Sequence, residues 1–160
     1  MNSISSHKSS NLSGNLIVPG DKSISHRSLI IGSLVNGRIE INNLLESEDV
    51  IATVNALRIL GVQINKLNNK WEVFGSGIGN FYGSNYTLNM GNSGTGARLL
   101  MGLIAGSDIE ATFIGDESLS KRPMKRITSP LKKTGATIGN QTNNLPIKIK
   151  GNKIVLPIEY

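Results

Sequence analysis

The chain of 160 residues repeats itself, and the repeat limits the folds open to it. Leu57-Arg58-Ile59-Leu60-Gly61-Val62-Gln63-Ile64 and Leu131-Lys132-Lys133-Thr134-Gly135-Ala136-Thr137-Ile138 follow one pattern at an offset of 74 residues. Each ends a helix at glycine and enters a strand. Upstream, Ser28 to Glu40 matches Leu99 to Glu110 at an offset near 70, pairing Gly32 with Gly102, Ile39 with Ile109 and Glu40 with Glu110. Downstream, Trp71-Glu72-Val73-Phe74-Gly75 answers Pro146-Ile147-Lys148-Ile149-Lys150-Gly151. The unit reads helix 24–35, strand 37–43, helix 47–60, strand 61–66 and strand 70–75, and the series recurs from about 93 to 150. This is an α/β chain. Its expected divisions are a polar tail at 1–11, a first unit at 20–83, a second at 84–151, and at 152–160 the opening strand of a third unit whose helix does not follow. Stacked units bury faces against one another, so an unfinished third unit leaves apolar faces bare.

Chemistry gathers at the helix starts. Pro19-Gly20-Asp21-Lys22-Ser23-Ile24-Ser25-His26-Arg27 packs a turn, cations and hydroxyls directly before an apolar helix. Pro-Gly ends a preceding strand at Leu16-Ile17-Val18, and Asp21 or Ser23 can cap the helix. Free N–H groups, the helix dipole, Lys22 and Arg27 would converge on an anion, phosphate or carboxylate. A capped surface helix with solvated cations is the other reading. Gly91-Asn92-Ser93-Gly94-Thr95-Gly96-Ala97-Arg98 repeats the device, with glycines that let a ligand approach the backbone. It lacks the Lys-Ser/Thr of a Walker A loop and the third glycine and acidic residue of a dinucleotide fingerprint. A ligand-free helix–strand junction is its alternative. In Ser118-Leu119-Ser120-Lys121-Arg122-Pro123-Met124-Lys125-Arg126, Pro123 suits a first helical position, which sets Lys121 and Arg122 just outside a helix N-terminus. Cations are disfavoured there unless an anion is shared with them. Lys125, Arg126, Lys132 and Lys133 read as a solvated helix face.

Composition narrows the partners. The net charge of +6 raises nucleic acid, but one Trp, three Tyr and three Phe do not interleave with the basic segments, so a small anion fits better. With no cysteine and with only His7 and His26, no disulfide, thiolate site or metal site is implied. The longest apolar stretch, Leu99 to Ala105, is far short of a membrane span, and the first residues lack a signal-peptide core; a cytoplasmic location without membrane contact is expected.

These segments resemble the EPSP synthase family of enolpyruvyl transferases. Leu16 to Arg27 is similar to its first signature, Gly91 to Arg98 to its second, and Phe113-Ile114-Gly115-Asp116-Glu117-Ser118-Leu119-Ser120-Lys121-Arg122-Pro123-Met124 to its third. Similarity extends over nearly all of 12–160. The resemblance implies an inside-out α/β fold of which this chain holds about two of the three repeats of one domain. It implies transfer of the enolpyruvyl group of phosphoenolpyruvate to the 5-hydroxyl of shikimate 3-phosphate through a tetrahedral intermediate, in aromatic amino acid and chorismate biosynthesis, with no cofactor and no metal. Lys22 would be the catalytic residue and touch both substrates; Ser23 and Arg27 would hold shikimate 3-phosphate; Gly94 and Arg122 would contact phosphoenolpyruvate; Asn92 and Thr95 would shape the loop. A methyl group on Gly94 would project toward the phosphoenolpyruvate pocket and alter tolerance to glyphosate, so the glyphosate-sensitive form is expected. Two alternatives stand beside this: a phosphate-binding remnant without chemistry, and a relative of UDP-N-acetylglucosamine enolpyruvyl transferase, which generally carries Lys-Asn where this chain has Lys22-Ser23. Full members are expected as monomers with a second domain. The Ser-Ala-Gln segment and that domain's acid/base groups lie beyond this chain, so alone it is expected not to turn over, and a complementary C-terminal chain is its expected partner.

Overall fold

In a computed structural model that describes residues 3–139 and 143–159, the two units form two sheets around a layer of helices. The first unit is α1 (Lys22–Leu34), β1 (Asn36–Asn42), α2 (Glu48–Ile59), β2 (Gln63–Leu67) and β3 (Lys70–Ser76). The second is β4 (Tyr82–Asn89), α3 (Gly94–Ala105), β5 (Asp108–Ile114), α4 (Glu117–Ser120), α5 (Lys125–Lys133), β6 (Thr137–Gly139) and β7 (Ile147–Lys150). The first unit's elements fall within two residues of their expected bounds. The expected division at 83/84 falls inside β4, a strand that the periodic series does not contain.

Sheet one runs β1-β3-β2, all antiparallel; sheet two runs β4-β5-β7-β6, with β4 parallel to β5. One face of each sheet is apolar and packs inward. In β7, Ile147 and Ile149 are buried while Lys148 and Lys150 are exposed, the period-two pattern of a one-sided sheet. Helices α1, α2 and α3 touch one another and each touches a sheet, so the helices are inside and the sheets outside. Leu29, Val54, Leu57, Val73, Leu88, Leu100, Ile104 and Phe113, all essentially inaccessible, make the shared core.

Three expectations fail. Leu16-Ile17-Val18 is no strand: its side chains are exposed, and among the described residues it is held by one bond, from Asn43 Nδ2 to the Val18 carbonyl at 3.3 Å. The corresponding segment before the second glycine turn is β4, which has β5 to pair with; extended chain becomes a strand only when a ladder receives it. Residues 152–159 also form no strand, because Leu156 N–H finds only the Thr134 carbonyl at 3.0 Å and no neighbouring strand; Tyr160 lies outside the described residues, as do Met1 and Asn2 of the tail. Pro123 is not the first helical residue either, since α5 begins at Lys125 after Met124. Lys121 instead closes α4 and reaches back to Glu117 at 2.5 Å, and the cations at a helix start are Lys125 and Arg126, which open α5.

Unequal sheets leave apolar surface. The β1 edge has no partner strand, and beside it Ile31, Gly32, Val35, Ile39 and Ile41 line an open groove with Arg27 at its end.

Candidate active site

The parallel pair β4 and β5 brings two carboxyl ends together, with Asn89 paired to Ile114. Ligands of open α/β sheets sit off such ends, and here the loops that follow are stitched to each other. Met90 N–H donates to the Ile114 carbonyl at 2.9 Å and Asp116 N–H to the Gly91 carbonyl at 2.9 Å. Gly91 adopts φ +51°, a conformation that favours glycine, and turns the chain into α3. Ser93 caps that helix, accepting from Gly96 N–H at 3.3 Å.

Arg122 lies over this turn. Its guanidinium donates to Asn92 Oδ1, while Asn92 Nδ2 donates to Asp116 Oδ2 at 2.7 Å. Asp116 in turn caps α4, accepting from Leu119 N–H at 2.7 Å. These two bonds, the backbone one first, hold the Asp116 carboxyl below its usual range. Asn92 thus joins a fixed acceptor to a cation. Arg98 joins the cluster from α3, half-buried; burial and the neighbouring Arg126 and Arg122 lower its pKa. Arg98, Arg122, Pro123 and Arg126 line an open recess of about 350 Å³. Among the described residues none of the three arginines makes an ion pair. Three guanidiniums with Asp116 beside them, reached through Asn92, carry surplus positive charge and make a site for an anion.

Gly94 stands beneath them. A Cβ there would come to 3.0 Å from an Arg122 Nη1 and 3.2 Å from an Arg98 Nη1, so the expected projection into a substrate pocket becomes contact with the cations themselves. Thr95, half-buried, follows in the first turn of α3.

The second cluster is at α1. Asp21 caps it, accepting from Ile24 N–H at 2.8 Å. Ser25 Oγ donates to the Asp21 carbonyl at 2.7 Å and accepts from Leu45 N–H at 3.0 Å, which ties the helix start to the loop before α2. Lys22, Ser23 and Arg27 are exposed there. Lys22 Nζ pairs with Asp49 Oδ2 at 2.8 Å, and Arg27 donates to the Ser23 carbonyl at 3.1 Å. Lys22 does not line the arginine recess. Both clusters border one face of α2: Asp49 in its first turn takes Lys22, and Thr53, one turn on, lies against Gly96.

Sequence reasoning left Arg126 on a solvated face and placed Arg98 in the second anion device without assigning it to a substrate. Arg98 lies four residues after Gly94 and therefore points back along the helix to its start. Nothing local marks Asp116 or Asp49, which meet their partners across the fold.

His26 is fully buried, with Nδ1 at 2.8 Å from Thr53 Oγ1. Burial pushes its pKa below the ordinary 6.5; Asp49 opposes the shift, while Lys22 and Arg27 add to it. An unfolded chain therefore binds this proton before the folded one does. Stability from this residue is whole above pH 6.5 and is lost as pH falls below 6.5 toward the depressed folded value. Denaturant midpoints measured at pH steps from about 7.5 to 5 should fall more steeply for this chain than for His26→Asn.

A family model described as EPSP synthase (3-phosphoshikimate 1-carboxyvinyltransferase) matches residues 6–159. A protein named 3-phosphoshikimate 1-carboxyvinyltransferase from Parvibaculum lavamentivorans is 49% identical over 160 residues, covering 99% of this chain and 36% of its own length. One of the same name from Streptococcus suis is 50% identical over 151 residues, covering 93% of this chain and 35% of its own length. An EPSP synthase structure from Acinetobacter baumannii superposes with a TM-score of 0.85 at 39% identity, over 92% of this chain and 34% of that one. The chain thus spans about a third of the length of these relatives.

Proposed function

Since this chain belongs to the EPSP synthase family of transferases, we propose that it supplies the phosphate-gripping half of an enolpyruvyl transfer site. The carrying observation is the recess lined by Arg98, Arg122 and Arg126, with Gly94 beneath the first two, where among the described residues no carboxylate comes within ion-pairing distance of the three guanidiniums. Arg122, with the α3 start at Gly94, is assigned to phosphoenolpyruvate; Ser23 and Arg27 are assigned to shikimate 3-phosphate; Lys22 is assigned to both. In the reaction the shikimate 5-hydroxyl gives its proton to a base as its oxygen bonds to C2 of phosphoenolpyruvate and C3 gains a proton from an acid. One proton then leaves C3 as the bond from C2 to the phosphate oxygen breaks, which forms the enol ether and releases inorganic phosphate. Lys22 must leave Asp49 to take part. An exposed ion pair contributes only about 0.2–1 kcal/mol, so a phosphate dianion displaces it readily. Asn92 and Thr95 keep the turn in shape. The product would feed chorismate and aromatic amino acid synthesis in the cytoplasm. Among the described residues no helix is long and apolar enough to cross a membrane.

Proton transfer needs an acid and a base in a closed cleft, and each such group contributes about 10²–10⁴-fold. We assign those groups to the part of the relatives' length that this sequence does not span. The test is phosphate release from the two substrates by this chain alone and by this chain mixed with the C-terminal remainder of a matched relative. Release only from the mixture supports the proposal. Release by the chain alone defeats the assignment of the acid and base, and silence in both defeats the enzymatic reading.

A further inference from the structure

We propose that His26 is a positioning residue, whose hydrogen bond to Thr53 sets α1 on α2 and thereby fixes where Lys22 stands. Lys22 and His26 are four apart on α1, and Asp49 and Thr53 are four apart on α2, so each pair shares a helix face one turn apart. Across the two helices they form two rungs: Lys22 to Asp49 at 2.8 Å and His26 to Thr53 at 2.8 Å. The outer rung is exposed and ionic; the inner rung is buried and neutral. When Lys22 turns from Asp49 to an anion, the outer rung opens and the inner one remains as the side-chain polar contact between the two helices, added to their apolar packing.

The inner rung has no substitute. His26 Nε2 has no hydrogen-bond partner among the described residues, so Thr53 is the ring's one polar anchor there. The same Thr53 hydroxyl lies 2.6 Å from where a Cβ on Gly96 would sit, which makes it the floor under the second glycine turn as well. One hydroxyl therefore touches the supports of both anion clusters.

This inference rests on the proposed role of Lys22, but its first readouts need no ligand. In the chain labelled with ¹⁵N-histidine and ¹³C-dimethylated at lysine, long-range spectra report the His26 tautomer and the Lys22 resonance, the latter identified with Lys22→Arg. Thr53→Val keeps the shape and removes the hydroxyl. It should shift both signals and weaken binding of shikimate 3-phosphate about fivefold, and Thr53→Ser should restore all three. A packing role predicts the reverse order, valine at least as good as serine; that order, or unmoved signals in Thr53→Val, overturns the proposal. Should Thr53→Val fail to fold, His26→Asn, which retains a polar atom for Thr53, should hold the Lys22 signal where His26→Leu shifts it; equal behaviour of the two counts against us. If shikimate 3-phosphate does not bind the parent chain while both signals respond as stated, the site assignment fails and the positioning role stands.

Discussion

Alanine at Gly151 or at Gly75 is expected to cost about 3 kcal/mol each, among the largest effects of any single methyl in this chain. A Cβ on Gly151 would lie closer than 3.0 Å to the carbonyl oxygens of Ile104 and Ser107 at the end of α3. On Gly75 it would lie closer than 3.0 Å to those of Gly32 and Val35 at the end of α1. The two glycines occupy the same place in the two units: the last strand passes under the end of the first helix and uses its free carbonyls. Asn152 N–H reaches the Ala105 carbonyl at 3.0 Å, and Gly77 N–H reaches that of Val35 at 3.2 Å. Backbone on both sides leaves nothing to rotate away. Thermal unfolding should show midpoints lower by roughly 6–12 °C. Gly102→Ala is the control. It sits at an exposed position of α3 with nothing within 4 Å of its would-be Cβ, and should gain about 0.5–1 kcal/mol. Unchanged midpoints in Gly75→Ala and Gly151→Ala would mean that the strands do not pass this close.

Arg122→Ala is expected to lower phosphate release by the complemented enzyme at least about 100-fold. A guanidinium can give an anion two charge-assisted hydrogen bonds, each contributing about 1.5–3 kcal/mol. Arg122 is also the arginine held in advance, through Asn92 to the α4 cap at Asp116. Asn92→Ala keeps the charge and frees the side chain, so its loss should be near tenfold. Arg126→Ala removes an exposed cation with no such tether and should fall below tenfold. If Arg126 proved as costly as Arg122, the anion would sit on α5 rather than over Gly94. Steady-state rates of the three variants, with folding checked by circular dichroism, decide the order.

The repeat and the three motifs were legible because each is local. Periodic apolar residues set the helices, and Gly61 and Gly135 end them with φ +92° and +101°. Even the correspondence of Gly75 with Gly151 stands in the sequence, although its cause, a crossing under a helix end, does not. What escaped was decided by distant neighbours. Leu16-Ile17-Val18 and Tyr82–Asn89 both precede a glycine turn, yet only the second has a ladder to join. Arg126 looks like any cation on a basic helix until Pro123 turns the chain and sets it beside Arg98. His26 stands within a motif read for its charges, and its partner Thr53 is 27 residues away.

The unmatched edge of β1 also bears on how such a chain behaves in a tube. An open row of backbone donors and acceptors is a template on which other chains can add, the first step toward aggregates. Here the strand carries its own deterrent. Arg38 and Glu40 project from β1 and are tied across to Glu72 and to Lys70, so an incoming strand meets charge at successive positions on that face. Neutralising the pair would remove that guard without touching any residue assigned to chemistry. Colloidal stability and activity are therefore separable in this chain, and the salts and pH that preserve those ion pairs are the conditions in which to handle it.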